Sequence, residues 1–462
     1  AAIVISCISV TYKEIVWSFH ILKRAIRVVA EAKAEQTVLI LEHMDKVGKK
    51  ILATGNGKCN YTNEYMTAEC YHGDQRLLTD IRSQFERDDA IAFFRELGIW
   101  PKAKNGYYYP NSGQALSVVE AMQMELKQLD IAVRCGCQVQ GLAEDYVGFA
   151  VATSTGVYKA RKVIVACGLL AAPKLGSDGS MIPVLKELGH RFVSIVPALC
   201  GFYASGMDFK KVSGVRCEAE LTLKIHTIHA KTSSVDGKNA ENRKIVSDTD
   251  AKYIPKERGE LQLTDYGVSG IPVFQLSSQA AKALKEKKKV SMRIDFLPEI
   301  AGGELESELH RRVERAKTMR EAAFDAQSGA EHRANADTQR MSVITLEQTL
   351  CGLLNQKLIP VLVKKAGIVA GMQVDRVDAA QLRKLTDAIK NYPVTLDKVR
   401  DFEFAQVCAG GIRTEELDTK TLESRLVPGL YFAGEILDVD GICGGYNLQW
   451  AWSSGFVAGS QI

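Results

Sequence analysis

The chain has no run of about eighteen apolar residues, so its sequence predicts no membrane-spanning helix. It has no CxxC pair. The lone Cys135-Gly136-Cys137 lacks a second half, and no zinc site or other metal site is expected. HExxH, a P-loop and a Ser-His-Asp set do not appear. The eight histidines (20, 43, 72, 190, 226, 229, 310, 332) do not cluster at ligand spacing; His190 reads as a helix C-cap or packing residue and His226 and His229 as solvated. Neither sign of charge is in large excess: the net charge is +4 and the pI about 8.4. With no basic stripe interleaved with aromatics, nucleic acid is not an expected partner. The eleven cysteines are odd in number, and several sit in apolar runs (Cys167, Cys200, Cys351). Buried free thiols in a reducing cytoplasm explain that pattern better than a disulfide framework. The apolar opening AAIVISCISV has no basic n-region and reads as a strand, so a cytoplasmic location is expected.

What is present describes a globular chain. Its 462 residues suit two or three domains, and 46% hydrophobic content builds a core without disulfide support. Residues 2–10 and 37–42 read as short buried parallel strands, with a helix over 21–34 between them. Glu42 closes this βαβ unit, at the strand tip where such folds hold an adenosine ribose. A polar loop spans 54–63 and a helix 88–97. Another helix starts near 114, with Ala115, Val118, Val119, Met122, Leu126 and Leu129 on one face and Asn111 or Ser112 as its cap. A hairpin is expected over 145–158, then a buried strand over 162–167 ending at Gly168, then a loop and helix over 176–190. The alternation in LTLKI (221–225) and VSMRIDF (290–296) predicts a β-rich insert, with a polar excursion over 226–258. Residues 302–392 read as helical. The expected organisation is 1–195 and 396–462 as one α/β domain built from both chain ends, 196–300 as a β-rich cap and 301–395 as a helical insert.

The C-terminal segment GLYFAGEILDVDGICGGYNLQWAWSSGFVAG (429–459) is the most informative. An apolar strand ends in Gly434-Glu435. Asp438 and Asp440 mark an acidic turn, as loop acids or substrate-facing groups or, equally, as solvated turn residues. Gly444-Gly445 then open a helix whose Leu448, Ala451, Trp452, Gly455 and Phe456 share one face. A helix start of this kind presents free N–H groups and a positive dipole end, a seat for an electron-rich group. In TGNGKCNYTN (54–63), Gly55 and Gly57 allow close backbone approach, Asn56 and Asn60 offer amides and Lys58 a point charge.

Together with GSDGS (176–180), GELQLTDYGVSG (259–270), DFLPE (295–299) and AQVCAGGI (405–412), these blocks resemble the BaiN-like, or YhiN-like, family of FAD-dependent oxidoreductases. The resemblance runs from about residue 37 to the end. It implies an FAD-binding Rossmann-like domain. It also implies cofactor contacts from Glu42, Gly55, Asn56, Gly57, Lys58, Cys59, Asn60, Val139, Gly168, Gly434, Glu435, Gly444, Gly445, Tyr446, Asn447 and Leu448. The pattern departs from the family in two places. No GxGxxG follows the first strand, where bulky Val10, Tyr12 and Ile15 stand, and Leu169 replaces a second glycine after Gly168.

No second GxGxxG offers a nicotinamide domain, so NAD(P)H would bind only transiently over the flavin. The resemblance implies reduction of a conjugated C=C in a steroid-like, bile-acid-type enone. An aminoacetone-type amine oxidase releasing peroxide, and a flavin-free scaffold, remain as alternatives. The catalytic acid is unknown from sequence; Tyr446, Tyr266 and Tyr108 are candidates by residue type. The substrate would be a small molecule, and the oligomeric state is open.

Overall fold

The computed structural model describes residues 2–5, 38–146, 148–226, 228–230, 244–246, 252–253, 256–328 and 344–462. The expected helix over 21–34, the first strand beyond Ile5 with its glycine-free turn, and most of the polar excursion lie outside these residues. The chain divides into two compact units, residues 1–200 with 400–462 and residues 201–399.

The first unit is organised on a five-stranded parallel sheet. Its order is Leu430–Phe432, Lys162–Val165, Ala2–Ile5, Val38–Leu41 and Ala132–Arg134. The strands are short and β-branched-rich, as a sheet with both faces covered requires. Ile40, Leu41, Val163, Ile164 and Val165 are all fully buried. One edge strand comes from the far C-terminal part of the chain, so the domain is built from both ends. The expected hairpin is the outer part of a three-stranded meander, Val139–Asp145, Gly148–Thr153 and Gly156–Ala160.

Two local expectations need correction. The helix Ala115–Gln128 starts after Gln114 and has no side-chain cap; Asn111 and Ser112 lie upstream, and Ser112 Oγ accepts from the Gln114 N–H at 3.3 Å. The C-terminal helix Tyr446–Gly459 does not bury one face only. Trp450, Ser453 and Ser454 are as buried as Leu448 and Trp452, and Phe456 is only partly covered. A helix apolar nearly all round belongs inside a domain. Its two serines fit there because their hydroxyls are satisfied: Ser454 donates to Trp450 O at 2.6 Å and Ser453 to Phe85 O at 2.7 Å.

In the second unit, six antiparallel strands form a ring. Arg216–His226 pairs with Glu257–Leu263, followed by Gly267–Gly270, Phe202–Ser205, Tyr392–Val399 and Lys289–Asp295, which returns to Arg216–His226. Closure removes the exposed edges of an open sheet. The period-2 pattern read from LTLKI turns Leu221 and Leu223 inward, where both are fully buried. Helix Ile271–Lys285 packs Val273, Leu276 and Ala280 on the barrel, and helices Gly302–Ser328, Ile359–Lys365 and Ala379–Lys390 share the same core. The β-rich and helical segments therefore pack as one unit.

All ten cysteines described are free. Cys167 and Cys200 are buried as expected, but Cys351 is exposed, because it follows the short helix Leu346–Thr349 at a surface turn. Burial pushes the Cys59 and Cys200 thiols up to about 12 and raises Cys408 well above its usual range. Since the thiolate is the reactive form, iodoacetamide at pH 8 should label the exposed Cys351 and spare the buried Cys59, Cys200 and Cys408. Peptide mass spectrometry of the native protein reads the pattern.

Candidate functional site

Within the first unit, a half-open cleft with a cavity volume of about 120 Å³ is lined by Gly55, Asn60, Leu199, Gln406, Val407, Ile442, Cys443, Gly444, Gly445, Asn447 and Leu448. The TGNGKCNYTN segment reaches it through a run of left-handed residues: Gly55 at φ 48°, Asn56 at 55°, Gly57 at 80° and Cys59 at 58°. Glycine takes that conformation without penalty and asparagine at small cost. The facing wall is the turn Ile442–Gly445, where Gly445 (φ 92°) precedes helix Tyr446–Gly459 and no side chain caps the helix. The first-turn N–H groups have no partner within the helix, and this end carries its partial positive charge.

Three long-range hydrogen bonds fasten the two walls. Asn63 Nδ2 donates to Gly444 O at 2.8 Å, Thr62 Oγ1 to Gln449 Oε1 at 2.7 Å, and Trp452 Nε1 to Tyr61 O at 2.7 Å. Packing is tight: a Cβ on Gly445 would lie 2.7 Å from Thr62 O and 2.9 Å from Asn60 Oδ1. Leu199, Gln406 and Val407 form the third wall, beside the ladder that pairs Val196–Ala198 with Val407–Ala409.

Of the residues anticipated from sequence, Gly55, Asn60, Gly444, Gly445, Asn447 and Leu448 come together in this cleft. Asn56, Gly57 and Lys58 stand exposed on the loop, and Cys59 is buried beneath it. A second group occupies the carboxyl ends of the parallel sheet. Glu42 follows Val38–Leu41, fully buried, and its Oε1 accepts from the Met44 N–H at 2.7 Å. Gly168 (φ 63°) follows Lys162–Val165, and Gly434 (φ 73°) follows Leu430–Phe432. Open α/β sheets bind ligands along this line of strand ends. Gly434 donates to Ser454 Oγ at 3.2 Å and accepts from Trp450 Nε1 at 3.3 Å. Glu435 accepts from the Cys408 N–H through Oε1, while its buried Oε2 has no protein partner among the described residues. Val139 opens the meander and is buried.

The tyrosines separate by environment. Tyr446 is buried with its ring edge-on to Tyr71 at 5.9 Å, and its phenol is raised by burial and by a hydrogen bond to Cys70. Tyr108 packs toward Tyr61 at 6.5 Å. Tyr266 belongs to the second unit, beside Tyr203 at 5.4 Å. Asp440 is not a solvated turn residue. It is buried and Oδ2 lies 3.0 Å from His72 Nδ1, because residues Val439–Gly441 pair with Tyr71–Gly73. His226 is likewise buried rather than solvated, with Nε2 2.8 Å from Ser291 Oγ. Among the described residues no group of three His, Cys, Asp or Glu side chains is placed to hold a metal ion.

Sequence reasoning missed Leu199, Gln406, Val407, Ile442 and Cys443. Gln406 and Val407 lie inside the quoted AQVCAGGI block, which was the available signal. Leu199 owes its place to a left-handed backbone (φ 50°) that a leucine does not advertise.

These residues fit a flavin. Asn60 Oδ1 is buried at the cleft without a hydrogen-bond partner among the described residues, so it has acceptor capacity for a ring N–H. Opposite it, the uncapped helix start offers donors to the electron-rich edge. Fold and site together define a Rossmann-type, FAD-dependent oxidoreductase. The HI0933-like protein Rossmann domain model matches residues 25–461, and the chain belongs to that family. Over 431 residues it is 37% identical to the 3-dehydro-bile acid delta(4,6)-reductase of Clostridium scindens, covering 93% of each chain. It is 24% identical to the ribosomal RNA dihydrouridine synthase of Escherichia coli, again over 93% of each. Among solved structures, 3-ketosteroid-delta4-(5alpha)-dehydrogenase from Rhodococcus jostii RHA1 aligns over 99% of this chain and 96% of its own. The identity is 13% and the TM-score 0.39, too low to bear on fold or function.

Two outcomes follow. Gly445→Val should crowd Thr62 O and Asn60 and lower FAD bound per folded protein; flavin absorbance against protein absorbance measures it. The second concerns His190, buried with Nδ1 3.2 Å from Glu416 Oε2 and Nε2 3.1 Å from Ser424 Oγ, a role beyond helix capping. Burial lowers the His190 pKa against the pull of Glu416. Burial pushes Glu416 upward, but hydrogen bonds from Arg191 and His190 outweigh it and hold the carboxyl low. Below about pH 6.5 the unfolded imidazole binds a proton that the folded one refuses, so stability falls as pH drops through that value. Below about pH 4.3 Glu416 adds a loss of the same sign. The urea midpoint should therefore decline between pH 7 and 5, and less steeply in His190→Gln.

Proposed function

We propose that this chain reduces a carbon–carbon double bond conjugated with a carbonyl in a steroid-like substrate of the 3-oxo bile-acid type, with NAD(P)H as electron donor. The observation that carries the reading is 37% identity, across 93% of both chains, to a reductase of that kind. The relative named for dihydrouridine synthesis supports the same reaction class, since saturating uracil also adds two hydrogens beside a carbonyl. Its lower identity, and the mild net charge of +4, favour a small molecule over nucleic acid.

When bound, FAD supplies the hydride acceptor and donor chemistry. The chain's own residues do the rest. N–H groups at the start of helix Tyr446–Gly459 favour negative charge on the cofactor edge they face. Leu199, Val407, Ile442 and Leu448 give the cleft apolar surface that excludes water, and Asn60, Gln406 and Asn447 supply amides for orientation. None of the lining residues carries a carboxylate to meet an ammonium group, which favours enone reduction over amine oxidation.

Anaerobic titration with NADH and with NADPH should bleach the flavin band, and a 3-oxo-4,6-diene bile acid should restore it with a product two mass units heavier per double bond. A flavin that enones leave reduced, but that air reoxidises with peroxide release in the presence of an amine substrate, would replace this reading by amine oxidation.

A further inference from the structure

The second unit carries a cavity of about 490 Å³ that the flavin chemistry leaves unused. Its charged lining is three lysines, Lys211, Lys364 and Lys365, against one carboxylate, Asp208. Two helices bring them together. Phe209–Val212 buries Phe209 and Val212, and Ile359–Lys365 buries Ile359, Leu362 and Val363, all in one core. The basic ends of both helices therefore line the same concavity. Lysine in a last helical turn answers the helix dipole. That accounts for each lysine singly, but not for three on one cavity. Lys211 is partly answered by Asp208, whose Oδ2 lies 3.4 Å from its Nζ. Lys364 and Lys365 have no carboxylate at ion-pair distance among the described residues. The rest of the lining includes apolar surface from Met207, Val361 and Tyr392. Tyr392 is held firmly: its hydroxyl donates to Gly206 O at 3.2 Å, and Phe296 packs edge-on to its ring at 6.1 Å. Lys365 Nζ stands 5.5 Å from the Tyr392 ring centroid, a cation–π contact that keeps the ammonium beside that apolar wall. Two uncommitted cations beside fixed apolar surface complement a ligand with an anionic end and an apolar body. Inorganic phosphate would use the charges and leave the apolar wall in water.

We propose that this cavity is a second ligand site, which takes an amphipathic carboxylate. The carboxylate pairs with Lys364 and Lys365, and the apolar body lies on Val361 and Tyr392. No bond is made or broken there. The site stands whether or not the cleft of the first unit reduces enones.

The test uses the full-length holoprotein, with cholate below its micellar concentration as the probe. Lysine acetylation read by peptide mass spectrometry should slow at Lys364 and Lys365 when cholate is present. The exposed Lys384, on helix Ala379–Lys390, should label as before. The alcohol that replaces the cholate carboxylate, and inorganic phosphate, should each protect less. In calorimetric titration, the double variant Lys364→Gln/Lys365→Gln should weaken one cholate site by about tenfold or more, with its bound FAD unchanged, and Lys384→Gln should bind as the wild type does. Added salt should weaken the same site, because both ammonium groups are exposed. Cholate that protects neither lysine, or a double variant that binds it as the wild type does, would overturn the site. Equal protection by phosphate, or by the alcohol, would overturn the ligand class.

Discussion

The cleft depends on the loop at 54–63 being tied to the C-terminal helix across nearly four hundred residues of sequence. Trp452 to Tyr61 O and Thr62 to Gln449 are buried hydrogen bonds, and Asn63 to Gly444 is partly so. Each is worth about 0.5–1.5 kcal/mol net, but stranding a buried partner costs about 1–3 kcal/mol. The asymmetry makes the three bonds a register device more than a source of stability. They hold Gly445 where a side chain would strike Thr62 O, so the helix start and Asn60 face each other at one separation.

The parallel sheet supplies a second constraint, because Glu42, Gly168 and Gly434 all stand past strand carboxyl ends. Two of these positions use positive φ, and Gly434 is locked on both its N–H and its C=O by the C-terminal helix. The helix thus serves the cleft with its first turn and the sheet with its side chains.

Much of this was legible in the sequence. Short β-branched runs marked the parallel strands, period-2 alternation marked a β-rich insert though not its closure into a ring, and paired glycines marked the turns at Gly55–Gly57 and Gly444–Gly445. The side chains of the cleft's third wall were not legible. Leu199, Gln406 and Val407 line the cleft only because residues 196–198 and 407–409 pair antiparallel, a long-range fact that local pattern does not carry. Asp440 and Cys351 misled for the opposite reason. An acidic turn reads as solvated until a partner strand with His72 covers it, and an apolar neighbourhood reads as buried until a surface turn lifts the thiol out.

The strand at Ala2–Ile5 lies in the middle of the sheet, with Lys162–Val165 on one side and Val38–Leu41 on the other, and the edge strand beyond Lys162–Val165 is Leu430–Phe432. This sets an order of assembly on the ribosome. The barrel unit, complete once residue 399 has emerged, can close while the domain that brackets it still waits for its last strand and helix. Throughout that interval the edge of Lys162–Val165 has no Leu430–Phe432 to pair with, and an unpaired edge is a template for another chain.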